Sequence, residues 1–269
     1  MKIRFLVPLL VVHLCFAGVA AAQENIDNTE LRHVLGEHSY HKRAIELLEE
    51  YRSLLQTFAD IAEEKFKADQ GSQHDVLIAQ LEALKLVGSQ AEHERRLNAT
   101  RALINRLLSR SPETRIETPS VDTTLNELPY SLEELHRSAL KNSAPAGRQG
   151  KNGSALLQRH TQNEHEHAVA SALYFALEQA YSEAATAQRL IQLYKTSLIP
   201  LAGFALESAL GSYQTGTTDF QQLINTVLIA LDAQMNYCRA ATDYRKALAQ
   251  MEALTGLDLT LEKENANAS

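Results

Sequence analysis

Tryptophan is absent from this 269-residue chain, aromatic residues make up 6% of it, and there are two cysteines and six prolines. Cys15 lies in the leading apolar run and Cys238 is left alone, so no disulfide is expected. Cys238 falls on the apolar stripe of a helical pattern, where a thiol behaves as a small hydrophobe. No segment alternates polar and apolar residues over a useful length, which argues against strands. Charge of one sign is also lacking: 33 acidic and 26 basic side chains give a mixed, mildly acidic surface that does not suit nucleic acid. No phosphate-cradling loop, nucleophile motif or pair of carboxylates at a loop mouth occurs, so no enzyme and no cofactor is expected.

What is present begins with "MKIRFLVPLLVVHLCFAGVAAA". Two basic residues precede an apolar run from Phe5 to Leu14, and small residues end in Ala20, Ala21 and Ala22. The run is well below the ~20 residues of a spanning helix. Residues 1–22 therefore read as a cleaved export signal rather than an anchor, and the remainder has no comparable run.

The rest is rich in Ala, Leu, Glu and Gln at helical spacing, which predicts an all-α fold of long coiled helices. Residues 23–111 read as a first helical hairpin. Its first arm carries Tyr40, Ala44, Leu47, Tyr51, Leu54, Phe58 and Ile61, alternately four and three apart. Its second arm carries Leu77, Leu81, Leu84, Gly88 and Ala91 as the stripe expected to face a neighbouring helix. Residues 112–163 read as a linker with one short helix, which starts at a capping box formed by Ser131 and Glu134. Residues 164–256 read as a second hairpin, and 257–269 as a disordered tail. Its first arm holds Leu173, Leu177, Ala180, Ala184, Ala187, Ile191, Tyr194, Leu198, Leu201 and Ala205, with Pro200 expected to kink it. Its second arm holds Phe220, Leu223, Val227, Leu231, Met235, Cys238, Ala241, Tyr244, Leu248 and Met251.

The two hairpins match each other at an offset of 213 − 66 = 147 residues, an internal duplication. Each tip has the same layout: an aromatic residue (Phe66, Tyr213), then Asp69 or Gly216 three residues on, then a polar run into an apolar helix. Repetition at the far ends of arms reaching ~50 Å makes these turns candidates for docking. His160, His165 and His167, with Glu164 and Glu166, have donors suited to a divalent metal, but no second cluster completes a coordination shell. They read as a polar helix start, as do His38 and His41.

The stretches "EEKFKADQGSQHDVLIAQLEALKL" and "LIQLYKTSLIPLAGFALESALGSYQTGTTDFQQLINTVLIALDAQMNYCRAATDYRKALAQMEALTG" resemble the two halves of TolC-type outer-membrane efflux channels, in the style of the heavy-metal efflux members. The resemblance covers residues ~40 to 110 and ~130 to 256. It implies a trimer whose helices form a periplasmic tube, with hairpin tips that meet the adaptor protein of a tripartite pump. The implied partner-binding residues are Asp69, Gly71, Ser72, Gly216, Thr217, Thr218 and Asp219. The implied aperture residues are Asp75 and Tyr213, with Gln222 and Asn225 at the acidic-ring positions and Thr218 at that of the arginine partner. The family's two barrel hairpins have no counterpart here, so direct insertion into the outer membrane is not expected. The expected role is a periplasmic conduit or accessory part of an efflux pump; the alternative is a non-conducting helical interaction module or a decayed channel remnant.

Overall fold

The computed structural model describes residues 8–117, 128, 130–143 and 155–259, with side chains described for 29–117, 128, 130–142 and 168–259. Among the described residues every regular element is a helix: α1 (Pro8–Lys67), α2 (Gln73–Leu107), α3 (Leu132–Ser143), α4 (Ala155–Leu193), α5 (Ile199–Gln214) and α6 (Phe220–Thr255). A π turn, Tyr194–Leu198, joins α4 to α5. No helix among the described residues is long and apolar enough to cross a membrane. The chain divides into two compact units: one of Met1–Val34, Leu128–Tyr181 and Lys246–Ser269, and one of Leu35–Glu127 and Ser182–Arg245.

The second unit contains both hairpin tips. Its core is built mainly from α1 (Leu47, Leu55, Phe58, Ala62) and α6 (Phe220, Leu223, Ile224, Val227), with narrower strips from α2 and α5. In the first hairpin His38 meets Thr100 and His41 meets His93, so residues later in α1 meet residues earlier in α2 and the arms are antiparallel. Between α1 and α6, Gln234 Nε2 donates to Tyr51 Oη at 2.9 Å.

Two expected stripes are corrected. On α2 the buried positions are Val76, Ala79, Ala83 and Leu86, with Ile104 and Asn105 near its end, while Leu77, Leu81, Leu84 and Ala91 are exposed and nothing lies near Gly88. The alanines win because small side chains let helix axes close to 8–10 Å, which turns the bulky leucines one position away and outward. On the second hairpin the expected stripe is buried through Leu177, Ala180, Ala184, Ala187 and Ile191. Beyond the π turn it moves by one residue, to Ala202, Leu206, Ala209 and Tyr213, and Leu201 is left 64% exposed. The Ile199 amide donates to Tyr194 O, five residues back, and this wide turn adds one residue to the helical count. Pro200, which has no amide proton, follows it directly, so the irregularity expected at the proline takes the form of a shifted register.

In the first unit α3 buries Leu135 and Ala139. Its start is the expected capping box: Ser131 N donates to Glu134 Oε2 at 2.8 Å and Glu134 N donates to Ser131 Oγ at 3.3 Å. The ring of His136 meets Tyr174 of α4 edge-on at 4.8 Å, and Ser138 Oγ donates to Thr255 O at 3.2 Å. After α6, Gly256 takes a left-handed turn and Glu252 Oε1 accepts the Leu259 amide at 2.8 Å.

Candidate functional site

The two tips are built from the same backbone hydrogen bonds. In the first, Ala68 N bonds Glu64 O, Asp69 N bonds Phe66 O and Gln70 N bonds Lys65 O. In the second, Thr215 N bonds Gly211 O, Gly216 N bonds Tyr213 O and Thr217 N bonds Ser212 O. Every pair is related by the 147-residue offset. The pattern is a Schellman-type end, in which a residue of positive φ turns the chain back over the last carbonyls. Asp69 (φ 55°) and Gly216 (φ 76°) supply that residue.

The following helices are capped alike. Ser72 Oγ accepts from His74 N at 2.9 Å, and Asp219 Oδ1 accepts from Gln222 N at 2.8 Å. Gly71 is needed for space, since a Cβ there would stand 3.0 Å from Lys65 Cβ. In the second tip the hydroxyls turn inward: Thr215 and Thr217 both donate to Ser212 O, at 3.1 and 3.0 Å. Thr218 is half-buried beside them.

The aperture residues implied by resemblance are partly brought together. Tyr213 Oη donates to Asp75 Oδ2 at 3.4 Å, and the Tyr213 ring lies 5.0 Å from Phe220. Burial, and then the charge of Asp75, push the Tyr213 phenol up to about 12, so it stays a donor at neutral pH. Gln222 and Asn225 are exposed and do not join this contact; Asn225 Oδ1 accepts from Gln221 Nε2 at 3.0 Å.

Sequence comparison passed over Lys65. Its Nζ donates to Tyr213 O at 2.5 Å and sits 4.4 Å from the Tyr213 ring centroid. One lysine of the first tip thus holds both the backbone and the ring of the second. The only signal in the sequence is a cation at the position where the second repeat has Ser212. Beside it a shallow groove of about 450 Å³ is lined by Thr57, Asp60, Ile61, Glu64, Lys65, Ala68 and Gln70.

The side chains of His160, His165 and His167 lie outside the described residues. Among the described residues no group of three His, Cys, Asp or Glu gathers as for a metal. Cys238 is buried, and burial pushes its thiol up, away from reactivity.

Coiled helical hairpins in tandem, with matching capped tips, define an all-helical fold class, and solved outer-membrane channels share that fold. The structure is similar over 87% of its length to the outer-membrane channel OprN, with a TM-score of 0.66 and 19% identity, covering 67% of that chain. It is similar over 87% to VceC of Vibrio cholerae, with a TM-score of 0.61 and 15% identity, covering 71% of that chain. It is similar over 91% to the open state of the Neisseria gonorrhoeae MtrE channel, with a TM-score of 0.61 and 14% identity, covering 69% of that chain. No protein-family model matches the sequence, and no curated protein matches it. The shared property is the fold, and it is the fold that the resemblance to TolC-type channels implied.

Proposed function

We propose that this chain works as a TolC-like, exported, periplasmic helical conduit or accessory component of a tripartite efflux or secretion pump. It assembles as a trimer and docks on an adaptor protein through its two tips. The observation that carries this reading is the pair of equivalent, capped and solvent-facing turns, in a fold shared with outer-membrane channels. Assembly is supported by the apolar residues left outside the core on two helices of the second unit. Leu77, Leu81, Leu84 and Val87 on α2 and Leu201 and Phe204 on α5 are exposed, and Gly88, Gly203 and Gly211 leave open space beside them. Pairing α2 of one copy with α5 of the next is a head-to-tail contact, the kind that forms a ring where the rotation between copies closes. The role involves no covalent chemistry.

Light scattering of the purified chain tests this. A particle of three chain masses is expected; a monodisperse monomer contradicts the conduit. Fractionation of the native host adds a second measurement, with recovery in the periplasm or, bound to a partner, at the outer membrane expected.

A second reading is a non-conducting interaction module or a channel remnant. The contact of Tyr213 with Asp75 and Lys65 inside a single chain favours it, because the tips are then already joined before any ring forms.

A further inference from the structure

His41 of α1 and His93 of α2 face each other with their Nδ1 atoms 3.0 Å apart. Their ring centroids are 5.1 Å apart, about the separation of two imidazoles meeting nitrogen to nitrogen, so the contact is a hydrogen bond rather than a stack. One Nδ1 carries the proton and the other is bare. Nε2 of His41 lies 3.7 Å from Glu37 Oε2, and the nearby carboxylate favours the tautomer with the proton on Nε2 and Nδ1 of His41 as the acceptor. Glu37 is itself held by Arg239 Nη1 of α6, at 3.1 and 3.2 Å. The Tyr40 ring closes the cluster, 5.2 Å from His41 and 5.7 Å from His93. One turn earlier, His38 Nδ1 bonds Thr100 Oγ1 at 3.1 Å. The proposed conduit and docking roles use none of these groups.

We propose that the His41–His93 hydrogen bond is a proton-sensitive joint: it closes α1 on α2 while His41 is neutral, and acid opens the hairpin locally around residues 34–45 and 90–102. The first proton goes to Nε2 of the half-buried His93 and leaves its Nδ1–H donating to His41. The second has only Nδ1 of His41 to occupy, where it removes the acceptor and sets two imidazolium rings head to head. The groups around the pair are Glu37 of α1, Glu92 and Arg96 of α2, and Arg239 of α6. Beside His38 stand Arg101 of α2 and Lys42 of α1. Around the pair the two carboxylates are matched by two guanidiniums, which leaves no net negative charge to accommodate a second imidazolium in a half-buried site. Burial, and then the neighbouring His93, lower His41 to about 4 in the closed hairpin, against 6.5 for the ordinary imidazole. Between pH 7.5 and 5.0 the open fraction therefore rises roughly 30-fold through His41 alone.

Hydrogen–deuterium exchange of the full chain at the two pH values, corrected for intrinsic exchange, reads this opening. The expected result is an acceleration of at least about 30-fold confined to residues 34–45 and 90–102, with 73–86 unchanged. Acceleration spread evenly along the chain, or none, overturns the proposal. In His41→Gln the amide oxygen can still accept the His93 bond but takes up no proton, so the pH effect is expected to shrink roughly 30-fold, to what His38 and His93 contribute, while protection at pH 7.5 remains; an undiminished pH effect overturns the proposal. Should that variant not fold, titration of the His41 ring by NMR in the unaltered protein decides. A midpoint below pH 5 supports the joint, and one at pH 5 or above overturns it.

Discussion

Asp69 and Gly216 stand at the same offset as the two hairpins and share one left-handed backbone, with φ of 55° and 76°. Ser109 (φ 52°) and Gly256 (φ 71°) repeat the relation after α2 and α6. Among the described residues, every residue of positive φ belongs to one of these two pairs. The duplication thus extends to backbone dihedrals, with the first repeat placing Asp and Ser where the second has Gly.

Asp tolerates the left-handed region but pays a steric cost that Gly does not. Asp69→Gly is expected to stabilise the chain by about 0.5–1 kcal/mol, and Gly216→Val to destabilise it by ~1–2 kcal/mol, read from urea unfolding. A loss of stability in Asp69→Gly would mean that the carboxylate makes an interaction worth more than the strain.

Tyr213→Phe removes the bond to Asp75 and is expected to cost ~0.5–1.5 kcal/mol. Lys65→Met removes both the carbonyl contact and the cation over the ring, at about 1 kcal/mol in its half-buried position. Because both substitutions act on Tyr213, the double variant should be less destabilised than the two effects added together. Strict additivity would show that Lys65 and Asp75 hold Tyr213 independently.

Positions one or two residues apart on α2 and α5 separate folding from assembly. Leu84 is 67% and Phe204 69% exposed, whereas Ala83 and Ala202 are buried. Leu84→Glu and Phe204→Glu should keep the helical circular dichroism and lose the oligomer in light scattering. Ala83→Glu and Ala202→Glu should unfold the second unit, since each places a charge in the core.

Burial lowers His38, His41 and His93 in the folded chain. The unfolded chain binds protons at these rings below about pH 6.5, and the folded chain does not until a lower pH, about 4 for His41. Their contribution is complete above pH 6.5 and is lost as the pH falls towards 4. The unfolding midpoint in urea should therefore drop across that interval, and less so in His41→Gln.

The duplication, the tips and their caps were legible in the sequence because each depends on local chemistry. A Ser or Asp caps the helix that follows it whatever packs against it, and a left-handed turn needs few residues. The α6 stripe was legible too: Phe220, Leu223, Val227 and Met251 are all buried. The α2 stripe was not, because large and small apolar residues lie side by side there, and only the approach of α1 decides which face closes. The shift after Ile191 was hidden for another reason: a π turn leaves the sequence pattern intact and changes the count of residues per turn. Lys65 escaped notice because repeat matching finds what two halves share, and it is a residue they do not.

The sequence by itself determined an all-helical chain, two matched hairpins and two capped polar turns, since helix periodicity and end-capping act over fewer than eight residues. Only the tertiary structure decided that Leu84 and Phe204 face outward, that Lys65 grips Tyr213, and that His41 meets His93. These depend on contacts between residues far apart in the chain, where close approach of backbones, not the size of any one side chain, sets which face is buried.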